Sequence, residues 1–499
     1  MELVDHLMLG FGVALTPTNL LYALIGTVLG TLIGVLPGIG PVATIAMLLP
    51  STFALEPVSA LIMLAGIYYG AQYGGSTAAV LVNMPGEAAS AVTCIDGHQM
   101  ALRGQAGVAL SVAAIGSFFA GCVATLLIAA FSVPLSHLAL QFGAAEYCSL
   151  MILGLIGAVV LAHGSLLRAL AMIVTGLLLG IVGTDVNSGV PRFTFGLPEL
   201  VDGIGVVVVA MGLFGFAEII LNLEGDKSRE VVRAKVGSLL VSGKLLRQAF
   251  PAILRGTGIG SVLGLLPGGG AMLSSFASYA VEKRLADDPS RFGKGAIEGV
   301  AGPESANNAG AQTSFIPLLS LGLPENAVMA LMMGAMMVHN IQPGPRVVVS
   351  NPELFWGFIA SMWIGNLMLV VLNLPLIGIW IKLLSVPYRL LYPAILLFCA
   401  IGVYSINNAP MDVLFTAFFG LVGLVVLKLR CEPAPLLLGY VIGPLMEENL
   451  RRSLLLSRGE WSVFVTRPIS AGLLALAALL LILTILPSIR AGREEAFRE

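Results

Sequence analysis

The sequence has few charged residues and lacks the short motifs of several common enzyme classes. Charged side chains make up 11% of the 499 residues and hydrophobic ones 57%, whereas a soluble domain carries about 25% charged residues. The composition therefore excludes a soluble domain and predicts an all-α polytopic membrane protein. No GxxxxGK[ST], HExxH or GxSxG motif occurs, so the sequence indicates neither ATP hydrolysis, zinc proteolysis nor serine hydrolysis. We expect a protein that is not an enzyme and has no cofactor.

Cysteine and basic residues are also scarce. The five cysteines show no CxxC or regular spacing, so neither a disulfide framework nor a metal site is indicated. The net charge is −2 and no basic domain is present, which gives nucleic acid nothing to bind. The N-terminal stretch MELVDHL lacks the positive segment of a secretory signal peptide. We therefore expect insertion to depend on the first membrane helix itself.

The sequence does contain a long-period internal repeat. Residues 26–40 read GTVLGTLIGVLPGIG and residues 256–270 read GTGIGSVLGLLPGGG, with eight of fifteen positions identical. GxxxGxxxG places three glycines on one helix face, which lets another helix approach closely. The LPGxG that follows cannot continue a helix, because proline lacks an N–H and glycine adopts angles that other residues avoid. Each copy predicts a membrane helix that breaks, at Pro37 or at Pro267, as part of a site.

Each half has a second break, at Pro85 and at Pro324. In the first half, the apolar runs 42–50, 58–70 and 78–84 are shorter than the ~20 residues that span a bilayer. They predict half-helices and re-entrant turns, which are tolerated at membrane depth only where they are buried in protein or line a cavity. The polar stretch 87–107 that follows is expected to leave the membrane or to edge a cavity. The second half repeats this pattern around a polar segment, 282–313: Gly70-Ala71-Gln72 matches Gly310-Ala311-Gln312, and after a one-residue gap Met84-Pro85 matches Leu323-Pro324.

The hydrophilic stretch between the halves suggests how the chain is divided. It contains six basic and three acidic residues, and this excess predicts a cytoplasmic linker over 223–248. Residues 1–222 would then form the first repeat half and 249–499 the second, each with scaffold helices, the second ending in a C-terminal span. We expect about eleven or twelve crossings and two inverted repeats that enter the membrane from opposite sides.

Polar residues between the two breaks of each half are the candidate site, since polar groups inside a membrane default to functional hypotheses. Both clusters contain no Arg or Lys, so an anion would be held by half-helix N-termini, amides and hydroxyls. Freed carbonyls at the breaks suit a transported Na⁺. The alternative is that these side chains only satisfy backbone groups freed by Pro and Gly. The candidate substrate-binding residues are Gly38, Gly40, Gly74, Gly75, Ser76, Thr77, Gly268, Gly269, Gly270, Ser305, Asn307, Asn308, Gln312, Thr313 and Ser314, and the candidates for a coupling ion are Asn83, Glu87, Glu304 and Asn340.

Four stretches carry a family resemblance: AGIYYGAQYGGSTAAVLVNMPGEAASAVTCIDGHQM (65–100), GLLPGGGAMLSSFASYAVEKR (264–284), GVAGPESANNAGAQTSFIPLLSLGLP (299–324) and PLMEENLRRSLLLSRG (444–459). With them the chain resembles the large membrane subunit of the tripartite tricarboxylate transporters. The resemblance implies import of tricarboxylates or related carboxylates across the bacterial inner membrane, driven by a cation gradient. It also implies two partners, a small four-helix membrane subunit and a periplasmic substrate-binding protein.

Two other functions stay open on the sequence. A passive carboxylate channel would carry the same polar clusters without a cation gradient or a binding protein, and a membrane scaffold would not transport at all. The residues leave the carboxylate and the choice between Na⁺ and H⁺ undecided.

Overall fold

The computed structural model describes residues 2–36, 40–161, 165–185, 188–224, 239, 241–267, 270–383 and 388–485. Within these ranges nearly all of the chain is helical, which confirms the predicted all-α membrane class. The strands there are β1 (Gly183–Thr184) and β2 (Pro191–Arg192), a two-residue antiparallel pair with Gly183 opposite Arg192.

The first part of the chain forms ten α-helices. They are α1 (Glu2–Ala14), α2 (Pro17–Val35), α3 (Pro41–Thr52), α4 (Pro57–Val82), α5 (Ala91–Leu102), α6 (Ala106–Ala139), α7 (Ala144–Leu161), α8 (Leu166–Gly180), α9 (Val206–Ala210) and α10 (Ala217–Glu224). A π-helical stretch, Met211–Phe216, joins α9 to α10, and single 3₁₀ turns lie at Ala88–Ser90 and Pro198–Leu200. Three of these helices begin at a proline, which fixes φ for the first turn without costing a helical hydrogen bond.

The second part adds thirteen helices and one 3₁₀ turn at Pro289–Arg291. They are α11 (Gly243–Leu263), α12 (Gly270–Leu285), α13 (Glu298–Thr313), α14 (Phe315–Leu321), α15 (Ala327–Val338), α16 (Val347–Ser350), α17 (Pro352–Asn373), α18 (Ile377–Leu383), α19 (Tyr388–Asn407), α20 (Pro410–Lys428), α21 (Pro433–Leu456), α22 (Val463–Thr466) and α23 (Pro468–Ile485).

Four of the described helices are long and apolar enough to cross a membrane: α2, α6, α17 and α20. Several shorter apolar helices accompany them, among them α3, α8 and α15. The expected count of eleven or twelve crossings stays a prediction, as do the division at 223–248 and the inverted orientation of the repeats.

The expected short pieces around residues 58–84 are not what the structure shows. Helix α4 runs unbroken through AQYGGST, and Gly74 lies in its middle. A Cβ at Gly74 would lie 2.8 Å from Val35 N on α2, so this glycine serves close helix packing. The sequence-based interpretation was wrong here because glycine was taken as a helix breaker, whereas a glycine that contacts a neighbouring backbone stays helical.

The two most extensive helix–helix contacts are α2 with α4 and α11 with α13. In each pair, three glycines of the GxxxGxxxG helix lie against the partner backbone, where an added Cβ would clash. Gly26, Gly30 and Gly34 meet Met63, Ile67 and Ala71, while Gly256, Gly260 and Gly264 meet Gly302, Ala306 and Gly310. The same close packing therefore recurs in both halves of the chain.

These contacts also set the register between the halves. Ala71 and Gly310 are structural counterparts, because each contacts the third glycine of its own repeat. The sequence match instead aligned Gly70 with Gly310, so it is out of register by one position. In the register set by the contacts, the breaks at Pro85 and Pro324 also coincide, and the gap between the two matches disappears.

Helices α4 and α13 form the centre of the protein. Every residue from Ser59 to Val82 and from Gly299 to Thr313 is buried. Helices α2, α6 and α17 pack against α4, and α5, α6, α11 and α12 pack against α13. The polar residues of both central helices are therefore enclosed by protein, which is the condition for keeping such groups in a membrane.

Candidate functional site

Glu304 is the central carboxylate of the site. It lies on α13, is completely buried and accepts a hydrogen bond of 2.5 Å from Ser76 Oγ of α4 through Oε2. Thr93 Oγ1 of α5 donates to its other oxygen, Oε1. Two hydroxyls from the first half thus hold a carboxylate of the second half, and no Lys or Arg side chain pairs with it in the described part of the chain.

A second carboxylate, Glu87, follows the break at Pro85. Its Oε2 accepts from Ala89 N at 3.1 Å and caps the 3₁₀ turn there. Its Oε1 accepts from Asn307 Nδ2 of α13 at 3.1 Å. With its amide turned to donate, Gln72 Nε2 lies 2.7 Å from Glu87 Oε1 and 2.6 Å from Asn307 Oδ1. Gly75 leaves room for this cluster, because a Cβ there would lie 3.1 Å from Glu87 Cγ.

The break at Pro324 carries a matching cluster. Asn326, the counterpart of Glu87 in the structural register, accepts from Met329 N at 2.9 Å and caps α15. Its Nδ2 donates to Glu325 Oε1 at 2.8 Å, and a Cβ at Gly270 would lie 3.0 Å from that oxygen. Ser314 Oγ lies nearby, 3.8 Å from the same Cβ position, and donates to Gly310 O at 2.7 Å. Each second break therefore has a side-chain helix cap and an acidic group, which are the same residue, Glu87, in the first half and the neighbours Asn326 and Glu325 in the second.

The contacts between the halves are reciprocal. Asn307 of the second half reaches Glu87 of the first. Tyr68 of the first half, the counterpart of Asn307, lies within hydrogen-bonding reach of Asn326 in the second. These two pairs occupy matching positions in the structural register. Glu304 has no acidic counterpart, since the residue at the matching position of α4 is an alanine, Ala65.

Helix α6 supplies polar partners on another side of α13. Asn308 Nδ2 donates to Ser117 Oγ at 2.7 Å and to the backbone oxygen of Glu304 at 3.1 Å. Thr125 Oγ1 donates to Gln312 Oε1 at 2.8 Å. Asn308 Oδ1 and Gln312 Nε2 are buried without a hydrogen-bond partner. Such groups are costly in a protein interior, so they point to a ligand or water absent from the contacts within the chain.

A small cavity of about 10 Å³ lies next to Ser76, which donates to Glu304, and is lined in part by the apolar residues Leu110, Ala113 and Ala114. This is close to the room that one water molecule occupies. Its polar lining residues are Tyr73, Ser76 and Thr77 of α4, Ser117 of α6 and Asn373 at the end of α17. Tyr73 Oη and Asn373 Oδ1 are buried and have no hydrogen-bond partner.

Comparison with known proteins identifies the family of the chain. The family model "Tripartite tricarboxylate transporter TctA family" matches residues 20–438. The chain belongs to this family. It is 59% identical over 499 residues to an Agrobacterium vitis protein named "Uncharacterized 52.8 kDa protein in TAR-I ttuC' 3'region", covering 100% of this chain and 99% of that protein. A second A. vitis protein, "Uncharacterized protein in TAR-II ttuC' 3'region", is 62% identical over 240 residues, which cover 48% of this chain and 99% of that protein. No solved structure matches.

Membership of the TctA family makes the chain a subunit of a tripartite transport system. The family is one of transport proteins rather than enzymes. The structure brings six candidate residues together. They are Glu304 and Glu87 and the four residues that contact them, Gly75, Ser76, Asn307 and Asn308. Thr77 lines the adjoining cavity, and Ser314 and Gly270 lie at the matching break beside Glu325.

Other candidates of this TctA-family chain lie elsewhere. Asn83 and Asn340 are exposed, in left-handed conformation, just after helix ends, so neither joins the carboxylates. Ser305 and Thr313 donate to carbonyls four residues earlier, at 2.7 and 2.9 Å, which is the backbone-satisfying role of the alternative interpretation. Gly40 is the N-cap of α3 and faces open space. Gly38, Gly268 and Gly269 lie outside the described residues.

Sequence reasoning missed three residues of the site. Thr93 lies in the polar stretch 87–107, which was expected to leave the membrane or to edge a cavity. Ser117 is one of five hydroxyl residues in the long apolar helix α6, and Asn373 is the last residue of α17. A polar residue inside an apolar run was the available signal for both, but other residues of the same helices share it. Only the packing of α6 and α17 against α4 shows which ones join the site.

Proposed function

We propose that this chain is the large permease subunit of a secondary transporter that imports tricarboxylates or related carboxylates. It would act in the bacterial inner membrane with a small four-helix membrane subunit and a periplasmic substrate-binding protein. A cation gradient would drive uptake. Family membership supports the transport role, and the buried polar core supports the coupling.

One observation carries the proposal. Glu304 and Glu325 are buried in the core and Glu87 is partly buried. Hydroxyls, amides and backbone N–H groups are their hydrogen-bond donors in the described chain. A buried carboxylate without a basic partner is costly unless it is neutralised. A proton or a cation supplies that neutralisation, so the same groups that hold the core together can respond to a cation gradient.

The substrate would be held by dipoles rather than by fixed positive charges. Helix α3 begins at Pro41, with Gly40 as its N-cap, and α12 begins at Gly270, each directly after a break of the repeat. The free N–H groups at helix N-termini attract carboxylates. Helix α3 packs against α15 of the second half and α12 against the 3₁₀ turn Ala88–Ser90 of the first. A shift of one half would therefore move both helix starts relative to the capped breaks.

The test is reconstitution of the chain with its small membrane subunit in proteoliposomes. Uptake of radiolabelled citrate and succinate, the tricarboxylate and dicarboxylate probes, is measured with and without an inward Na⁺ or H⁺ gradient and the binding protein. We expect accumulation above the external concentration only when both the cation gradient and the binding protein are present. Equilibration that needs neither would show a passive channel, and no movement of any carboxylate would show a scaffold.

Asn308→Ala is the matching variant of the site. It removes the two hydrogen bonds that Asn308 Nδ2 donates to Ser117 Oγ and the Glu304 backbone oxygen. Each such bond contributes about 0.5–1.5 kcal/mol. We expect uptake to fall at least about tenfold while membrane insertion stays normal. Unchanged uptake by the variant would remove Asn308 from the transport site.

A further inference from the structure

Asp96 is a buried carboxylate that lies outside the clusters around Glu304 and Glu87. It belongs to α5 and is completely enclosed by protein. Its Oδ1 accepts from the backbone N–H groups of Gly295 and Ala296, at 2.6 and 2.8 Å. Its Oδ2 accepts from the Tyr279 hydroxyl of α12 at 2.9 Å. A residue of the first half therefore holds the chain where it enters the central helix of the second half.

Two glycines keep the place of this carboxylate open. Gly295 has a φ of +93°, a left-handed conformation that other residues rarely adopt. In this turn two successive N–H groups meet one carboxylate oxygen. Gly299 lies in the first turn of α13, where a Cβ would clash with Asp96 Oδ2. A carboxylate beside a helix start also interacts favourably with the positive end of the helix dipole.

The same face of α5 holds α13 at a second point. Thr93 lies three residues before Asp96, so the two side chains share a face of the helix. Thr93 Oγ1 donates to Glu304, which lies about 9 Å along α13 from its first residue, Glu298. Helix α5 therefore contacts α13 both at its beginning and at the buried carboxylate.

We propose that Asp96 is a positioning residue, which holds α13 at the height where Ser76 and Thr93 reach the Glu304 carboxylate. Hydrogen bonds weaken steeply when their geometry is lost, so releasing the start of α13 would loosen both of these contacts. The importance of Asp96 for transport rests on the proposed function, whereas its effect on Glu304 can be measured without transport.

The first experiment is a double-mutant cycle of Asp96→Ala and Glu304→Gln, read as the melting temperatures of the purified full-length proteins. The two carboxylates have separate hydrogen-bond donors, and changes at independent sites add. We expect the double variant to lose less than the sum, because part of the Asp96→Ala loss is the loosening of Glu304. Additive losses overturn the positioning role. Tyr279→Phe, which removes one of the three donors, runs the same cycle where Asp96→Ala does not fold, with a smaller effect in the same direction.

Glu146→Gln is the matched control. Glu146 of α7 is also a buried carboxylate that accepts from a backbone N–H group, that of Gly143 at 2.9 Å, but its other partner is Arg467 at 2.6 Å. It does not hold α13. The proposal requires its loss of stability to add to that of Glu304→Gln, and equal coupling in both cycles would contradict a specific link from Asp96 to Glu304.

The second experiment separates positioning from a direct role of the Asp96 charge. Asp96→Asn keeps an acceptor for the two N–H groups and can donate to the Tyr279 hydroxyl. Per folded protein, gradient-driven citrate uptake should fall at least about tenfold in Asp96→Ala and stay near wild type in Asp96→Asn. Equal loss in both variants, or full uptake by Asp96→Ala, would overturn the proposal. Coupled stability losses without any uptake by the wild-type chain would sink the proposed function alone, whereas wild-type uptake with additive losses would sink the positioning role alone.

Discussion

Asn307 Nδ2 donates to Glu87 Oε1 at 3.1 Å, so the central helix of the second half is tied to the break of the first. The Tyr68 hydroxyl reaches the counterpart of Glu87, Asn326, from the first half. The polar groups at the two breaks therefore contact residues of both halves.

The first prediction concerns this link. Glu87→Gln and Asn307→Ala should each lower the thermal stability of the purified protein, and the double variant should lose less than the sum of the two. Residues in direct contact show coupling free energies of about 0.5–3 kcal/mol. Thermal unfolding of the four proteins measures this coupling.

The control cycle combines Asn307→Ala with Glu298→Gln. Glu298 lies on the same helix, about 13 Å away along its axis, and pairs with Arg291 at 3.0 Å. These two changes should add. If the effects of Glu87→Gln and Asn307→Ala were also additive, the hydrogen bond between these two residues would contribute nothing to stability.

The second prediction separates two glutamates of α13. Glu304→Gln keeps the side-chain size but removes the charge that Ser76 and Thr93 donate to, and it places an amide donor against a hydroxyl donor. Hydrogen bonds to charged groups contribute about 1.5–3 kcal/mol, so gradient-driven citrate accumulation should fall at least about tenfold. Glu298→Gln removes a partly exposed ion pair worth about 0–1 kcal/mol and should transport normally. Equal accumulation by the two variants would show that the Glu304 charge has no part in coupling.

The third prediction tests the glycine packing. In Gly260→Ala the new Cβ would lie 2.8 Å from Ala306 Cα and from Ala309 Cβ. Such overpacking costs about 1–3 kcal/mol, so the melting temperature should drop. Gly258→Ala, on the same helix but with nothing within 4 Å, should be neutral or raise stability by up to about 1 kcal/mol through helix propensity. A similar drop in both variants would contradict the close approach of α11 and α13.

The fourth prediction is that the repeats are inverted. The basic excess before the second copy predicts that this linker lies in the cytoplasm, and inverted repeats would enter the membrane from opposite sides. In a chain without its native cysteines, Asp5→Cys should react with an impermeant thiol reagent on intact cells and Lys235→Cys should not. Permeabilised cells, where both should react, are the control. Protection of both positions in intact cells would make the repeats parallel.

The sequence alone determined the class of the protein and the place of its repeated unit. The low charge and the apolar runs require a membrane, because so little polar surface cannot cover a soluble fold. The GxxxGxxxG faces were readable because helix geometry fixes which glycines share a face. The polar stretches around Ser76 and Asn308 could be singled out because polar groups are costly in apolar surroundings.

Only the tertiary structure decided which of those residues meet. Gly74 was expected near a turn, but contact with α2 keeps it inside a continuous helix. The match of Gly70 with Gly310 was out of register by one position, because identity of short motifs cannot outweigh the backbone contacts that align whole helices. Thr93 and Asn373 join the site through packing between segments far apart in the chain. Local pattern fixes each helix and its buried face, whereas the pairing of faces depends on contacts between the two halves of the chain, which no local pattern encodes.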